Sequence, residues 1–276
     1  MTWTKTNNAA RWMRALCLVV FSATNGPVLA TDDPWPDIHT GVFQGRQIEE
    51  NSPLIQIFVP NQADDAAIVP VSVRVNSSIV AQARSLTLVI DRNPMPVAAS
   101  FAFGEGFRTG PNVGERTLST RVRVDAFSRV RAILETMDGA LHMDSKFVIG
   151  AGGCSAPAAK DRDAAASQLG RTQLKMMKDD SRGTAWREAQ IMIKHPNSTG
   201  MQIDKETGDY TPAKYVNSIE VSSGNQVLFK MEGGISISEN PNIRFTYATD
   251  SDDDLNFEAM DTSGTKFAAT NKGGRQ

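Results

Sequence analysis

The run Gly150-Ala151-Gly152-Gly153-Cys154-Ser155-Ala156-Pro157 sets a single thiol in a segment with almost no side-chain bulk. The thiolate is the nucleophilic form of cysteine and it needs access, which neighbours lacking a Cβ do not obstruct. The composition around Cys154 therefore points to a reactive sulfur on a thin arm, with Gly152 and Gly153 supplying the freedom. The competing reading is a buried cysteine at the end of a strand with a glycine turn after Ile149, since free cysteine is among the most often buried residue types. Only one other cysteine exists, Cys17, so a Cys-x-x-Cys redox pair is excluded.

The N-terminus bears on that thiol. Lys5, Arg11 and Arg14 precede the apolar stretch Ala15 to Ala23, and Val28-Leu29-Ala30 offers the small residues a signal peptidase reads. A cleaved signal peptide over 1–30 is expected, with the mature chain starting near Thr31 and Cys17 discarded. Cys154 would then stand alone in an oxidising compartment, where structural cysteines normally come in pairs.

Other chemistries find little support. His39, His142 and His195 are isolated in sequence and lack metal-ligand spacing, so no metal and no cofactor are expected. Asp250-Ser251-Asp252-Asp253-Asp254 lacks the glycine and glutamate of an EF-hand and reads as a solvated hairpin tip. Arg121 and Arg123 share one face of a strand by alternation; they would either attract an anionic adduct on the sulfur or simply be solvated. No Ser-His-Asp ordering, phosphate loop or dinucleotide fingerprint is present, which argues for a substrate-bearing partner rather than an enzyme. A net charge of -2 gives no footprint for nucleic acid or an anionic membrane. After the leader no apolar run is long enough to span a bilayer.

The elements that must position Cys154 read as strands. Leu54 to Val59, Ile68 to Val75, Leu86 to Ile90, Val97 to Phe103, Leu118 to Val124, Val130 to Met137 and Leu141 to Ile149 are short apolar or alternating runs, closed by turns such as Asp138-Gly139. This spacing is that of an immunoglobulin-like sandwich. Trp35, Phe43 and Ile48 suggest a short helix within Thr31 to Glu50 that packs on it. Ala156 to Lys178, poor in β-branched residues, reads as a partly helical linker. Strand signals resume at Glu188 to Lys194 and run through Tyr215 to Val221, Gln226 to Met231, Ile243 to Tyr247, Leu255 to Met260 and Thr265 to Ala269. The expected fold is all-β, with two immunoglobulin-like β-sandwich domains. The divisions are a signal peptide over 1–30, a first sandwich over 31–153, the cysteine loop and linker over 154–182, and a second sandwich over 183–276.

These residues resemble SoxYZ, the sulfur-carrier complex of bacterial thiosulfate oxidation, as a single fused chain. The first half is similar to SoxY through Ala66-Ala67-Ile68-Val69-Pro70-Val71, Asn93-Pro94-Met95-Pro96, Leu118-Ser119-Thr120-Arg121-Val122-Arg123 and Gly152-Gly153-Cys154. The second resembles SoxZ through Ile193-Lys194-His195-Pro196, Gly234-Ile235-Ser236-Ile237-Ser238-Glu239-Asn240-Pro241 and Asp261-Thr262-Ser263-Gly264. The resemblance implies a periplasmic carrier without catalytic machinery, with Cys154 as the covalent carrier thiol and Gly152 and Gly153 as its flexible arm. It implies periplasmic sulfur-oxidising enzymes or a quinoprotein dehydrogenase as partners, and intramolecular pairing of the two sandwiches. In the family the cysteine ends its subunit in a free glycine tail; here the chain continues, so the arm is tethered at both ends. A non-catalytic binding or assembly module for a quinoprotein dehydrogenase is the alternative function, and an adhesive sandwich would normally carry paired cysteines or repeats.

Overall fold

Alternation decides the local structure. In Val69–Val75 the four valines are buried while Pro70 and Arg74 face outward, the pattern of a strand with one face on a core. The computed structural model describes residues 1–2, 33–111, 114–157, 168–178 and 185–272. The expected leader, with Cys17, falls on residues outside the described ones. Pro34–Gln276 form one compact unit.

The first half contains α1 (Trp35–Phe43), β1 (Ile48–Glu50), β2 (Ile55–Phe58), β3 (Val69–Val75), α2 (Ser77–Val80), β4 (Ala83–Ile90), β5 (Val97–Phe103), α3 (Glu105–Arg108), β6 (Arg116–Val122), β7 (Ser128–Thr136) and β8 (Leu141–Val148). The second contains β9 (Thr172–Lys178), β10 (Trp186–Ile193), β11 (Val216–Ser223), β12 (Gln226–Gly233), β13 (Asn242–Ala248), β14 (Leu255–Asp261) and β15 (Lys266–Asn271).

Both sheets run through both halves. Among the described residues the strand order is β1-β8-β7-β4-β5-β12-β11-β14-β15 in one sheet and β2-β3-β6-β13-β10-β9 in the other. The joins are antiparallel: Phe101 lies opposite Met231 where β5 meets β12, and Leu118 opposite Phe245 where β6 meets β13. Each half thus caps edges that the other would leave open to intermolecular pairing. One apolar cluster fills the space between the sheets and includes Phe101, Phe229, Phe245 and Phe257 from the two halves.

Two local features depart from the sequence reading. Thr172–Lys178, part of the stretch read as a partly helical linker, is strand β9, paired from Thr172 opposite Ile193 to Lys178 opposite Arg187. Its lysines and methionines favour a helix in isolation, but β10 supplies a pairing edge, and Leu174 with Met176 points to the core. The Asp250–Asp254 loop joins β13 to β14, which belong to different sheets, so it is a crossing between sheets and not a hairpin tip.

The expected short helix is α1. Ile38 and Phe43 pack with Val89, Ile133, Leu141 and Met143 on the outer face of the larger sheet, which explains why β4 and β7 have consecutive buried residues. Arg131 anchors this layer: its guanidinium carbon lies 3.9 Å from the Trp35 ring centroid, and its Nε and Nη2 donate to Asp91 at 2.8 Å.

Candidate functional site

Cys154 is held where the two halves meet. Past β6, the chain continues through Arg123, Val124 and Asp125, pinned by Arg123 N–H to Ser236 O (2.8 Å) and Val124 N–H to Ala66 O (2.8 Å). Asn93 locks this corner by donating to Arg123 O (2.7 Å) and to Ser236 Oγ (2.9 Å), while its Oδ1 accepts from Asp125 N–H (2.9 Å). The cysteine segment lies along this corner. Gly152 N–H donates to Asp125 O (2.8 Å), Gly153 N–H to Val124 O (3.0 Å), and Cys154 N–H to Asp125 Oδ1 (3.2 Å). From the first half, Arg123 Nη1 donates to Gly153 O (3.0 Å); from the second, Thr199 Oγ1 donates to Cys154 O (2.6 Å).

The exposed thiol expected from the sequence is corrected by this arrangement. Cys154 is a free cysteine with 0% exposure, and its glycines dock the segment instead of loosening it. A Cβ on Gly153 would lie 2.1 Å from Ala66 O and 2.7 Å from Val124 O. The missing side chain therefore serves close backbone approach. Gly152 takes a φ of 74°, the left-handed conformation that makes the turn into Cys154, closed by Ala156 N–H to Gly152 O (3.0 Å). Within Gly150 to Pro157, Ala151, Gly152, Ser155 and Pro157 are the exposed residues.

Electrostatics agree with a closed thiol. Burial pushes the Cys154 thiol up to about 12, Asp125 adds to the rise, and Arg123 opposes it. In this conformation the sulfur is protonated and unreactive at neutral pH. Arg123 is 0% exposed, and burial lowers its pKa against the attraction of Glu239, Cys154 and Asp65.

The sequence reading placed Arg121 and Arg123 together on a strand face. The structure separates them: Arg121 is half-buried and donates to Asn240 O (3.2 Å), whereas Arg123, beyond the last residue of β6, turns under the cysteine segment. Thr199 and Gln202 were not foreseen. Gln202 Oε1 accepts from Thr199 N–H (2.8 Å) and lies 2.9 Å from Thr199 Oγ1, and nothing in their sequence marks them as neighbours of Cys154.

The histidines do not converge. His39 sits on α1 with Nε2 2.7 Å from Arg46 O, and His142 pairs with Glu49 at 2.6 Å. His195 is buried at the end of β10, where its Nδ1 accepts from Asn197 N–H (3.0 Å) and its Nε2 faces Asp261 Oδ2 (3.3 Å). Among the described residues no group of three potential metal ligands is clustered, and no helix is long and apolar enough to cross a membrane.

The two halves of this architecture correspond to two families. Sulfur oxidation protein SoxY matches residues 39–154, and Sulphur oxidation protein SoxZ matches residues 175–272. The chain belongs to the fused SoxYZ-like proteins of sulfur oxidation, a SoxY half leading and a SoxZ half following. Among solved structures, the sulfur carrier protein SoxY from Chlorobium limicola f thiosulfatophilum is similar at 24% identity over 42% of this chain and 91% of that chain, with a TM-score of 0.32. A beta-glycosidase from Bacteroides vulgatus is similar at 11% identity over 79% of this chain and 24% of that chain, with a TM-score of 0.23. No curated protein matches the chain.

Proposed function

We propose that this protein is a periplasmic covalent carrier that holds sulfur intermediates on Cys154 while partner enzymes oxidise them, with thiosulfate as the entering substrate. The supporting observation is that the SoxY match ends on Cys154, whose segment is gripped from both halves by Arg123 and Thr199. The closed state is the sheltered one, and loading requires the segment to lift. No strand need break for that. The segment's hold on the body is the five hydrogen bonds from or to Gly152, Gly153 and Cys154 described above and the burial of one small side chain.

Once released into water, the thiol regains an ordinary pKa of about 8.5. Loading then joins Sγ to the outer sulfur of thiosulfate, giving a cysteine-bound thiosulfonate. The thiol proton goes to solvent and two electrons pass to a redox enzyme that serves as the oxidising partner. The carrier supplies the nucleophile and the partner supplies the oxidant.

A second reading is favoured by the burial itself. A sulfur with 0% exposure is what an incidental thiol looks like in a binding or assembly module for a periplasmic quinoprotein dehydrogenase. Replacing the chromosomal copy with Cys154→Ala in the native host separates the two. The carrier reading expects folded variant, intact partner binding and lost sulfur oxidation; unchanged sulfur oxidation would leave the assembly reading standing.

A further inference from the structure

We propose that Arg123 and Gln202, one from each half, form a cradle for an oxyanionic group carried on Cys154. The proposal rests on the carrier reading and names the chemistry the closed site is built to hold. Arg123 is 0% exposed, and its guanidinium donates to Gly153 O (3.0 Å) and Asn197 O (3.5 Å), both neutral carbonyls. Its Nε has no hydrogen-bond partner among the described residues. Glu239 and Asp65 attract it through space. A buried guanidinium offers five donors in a planar fork suited to two-pronged oxyanion contacts.

Gln202 is the second buried donor. It is 4% exposed, and its Nε2 is also without a partner among the described residues. The amide cannot satisfy itself by flipping, because Thr199 N–H donates to Oε1 at 2.8 Å and would meet another donor. Thr199 Oγ1 in turn reaches Cys154 O at 2.6 Å. Two buried donors, one on Arg123, which grips Gly153 O, and one on Gln202, which holds the Thr199 that grips Cys154 O, call for acceptor oxygens and negative charge. A sulfonate-type group on the sulfur brings both; a neutral adduct or bare thiol brings neither. Asp125, whose Oδ1 accepts from Cys154 N–H, acts against a charged sulfur where Arg123 favours one.

The test uses the full-length protein with two reagents. With tetrathionate, the thiolate attacks a central sulfur, the central S–S bond breaks, thiosulfate leaves with the electron pair, and an anionic cysteine thiosulfonate remains. Methyl methanethiosulfonate gives a neutral methyl disulfide, with methanesulfinate leaving. Removal of each adduct by dithiothreitol is timed and normalised to the same adduct on a Gly-Gly-Cys-Ser-Ala peptide. The cradle predicts that the anionic adduct is protected at least about tenfold more than the neutral one, the size of one charge-assisted hydrogen bond. Gln202→Leu and Arg123→Lys should each lose several-fold of that difference, read as the ratio of anionic to neutral protection on the same variant, because both residues also hold the closed segment and any loosening of it lowers protection of both adducts together. Should Arg123→Lys fail to fold, Gln202→Leu alone carries the comparison. Equal protection of the two adducts, or variants indistinguishable from wild type, would overturn the cradle and leave the carrier reading intact. Folded wild type that accepts neither reagent would sink the carrier reading, and the cradle with it.

Discussion

Gly153→Ala is the most informative single perturbation of the closed site. The new Cβ would meet Ala66 O at 2.1 Å, about 1 Å inside any tolerable contact, and Val124 O at 2.7 Å, and both oxygens belong to backbone that cannot rotate away. The residue does not have a positive φ, so alanine is acceptable there in every other respect and the effect falls on docking alone. Five hydrogen bonds hold the segment; at about 1 kcal/mol net each, opening costs about 5 kcal/mol. Wild type is then open in roughly one molecule in 10^3 to 10^4, and labelling proceeds through that fraction. In Gly153→Ala the closed state is lost, and iodoacetamide labelling at pH 7.5 accelerates by about 10^3-fold toward the rate of an unstructured peptide. The pH profile changes too. The wild-type rate keeps rising about tenfold per unit through pH 10, because the closed thiol is pushed up to about 12. The variant rate levels off above about 8.5, the ordinary thiol value. A folded Gly153→Ala protein with the wild-type rate and profile would refute the docked-segment account.

Two other perturbations probe the surroundings. The raised thiol means that the folded state retains a proton the unfolded chain loses above about pH 8.5, so this group's stabilisation is complete below that pH and declines by about 1.4 kcal/mol per unit toward 12. Urea unfolding of wild type and Cys154→Ala at pH 8.5 and 10.5 should show their stability difference shift by about 2–3 kcal/mol against wild type; a constant difference would contradict a buried neutral thiol. Burial pushes the Asp261 carboxyl up, but donors from Ser263, Thr265 and His195 outweigh it and hold the group well below the usual carboxylate range. Its stabilisation is therefore present above the ordinary value of about 3.9 and lost as pH falls below it. Asp261→Asn should cost about 2–4 kcal/mol at pH 7 and flatten the acid limb of the stability profile; an unaltered acid-unfolding midpoint would count against this network.

How much was legible follows from the range of the interactions. Val69–Val75 and Leu255–Asp261 announce themselves because alternation is local, and their bounds differ from the sequence reading by a residue or so. β9 was missed because Lys175, Met176, Met177 and Lys178 have helical preferences, and only pairing with β10 makes them a strand. The continuity of the sheets depends on which edges meet, and nothing within Val97–Phe103 specifies Gln226–Gly233 as its neighbour. Cys154 was located from its neighbours, but its state was not. Glycine permits both free motion and close approach, and the deciding atoms, Ala66 O and Val124 O, lie far away in sequence. Arg123 looked like the companion of Arg121 because alternation was extended one residue past the end of β6, where the strand has already given way to the corner held by Asn93.

A carrier must bear cargo on Cys154 in the cell. Intact mass should be measured on protein taken directly from its native host during growth on a reduced sulfur compound, without added reductant. Species heavier than the unmodified chain that map to Cys154 and revert on reduction are expected. A single unmodified mass under those conditions would contradict it.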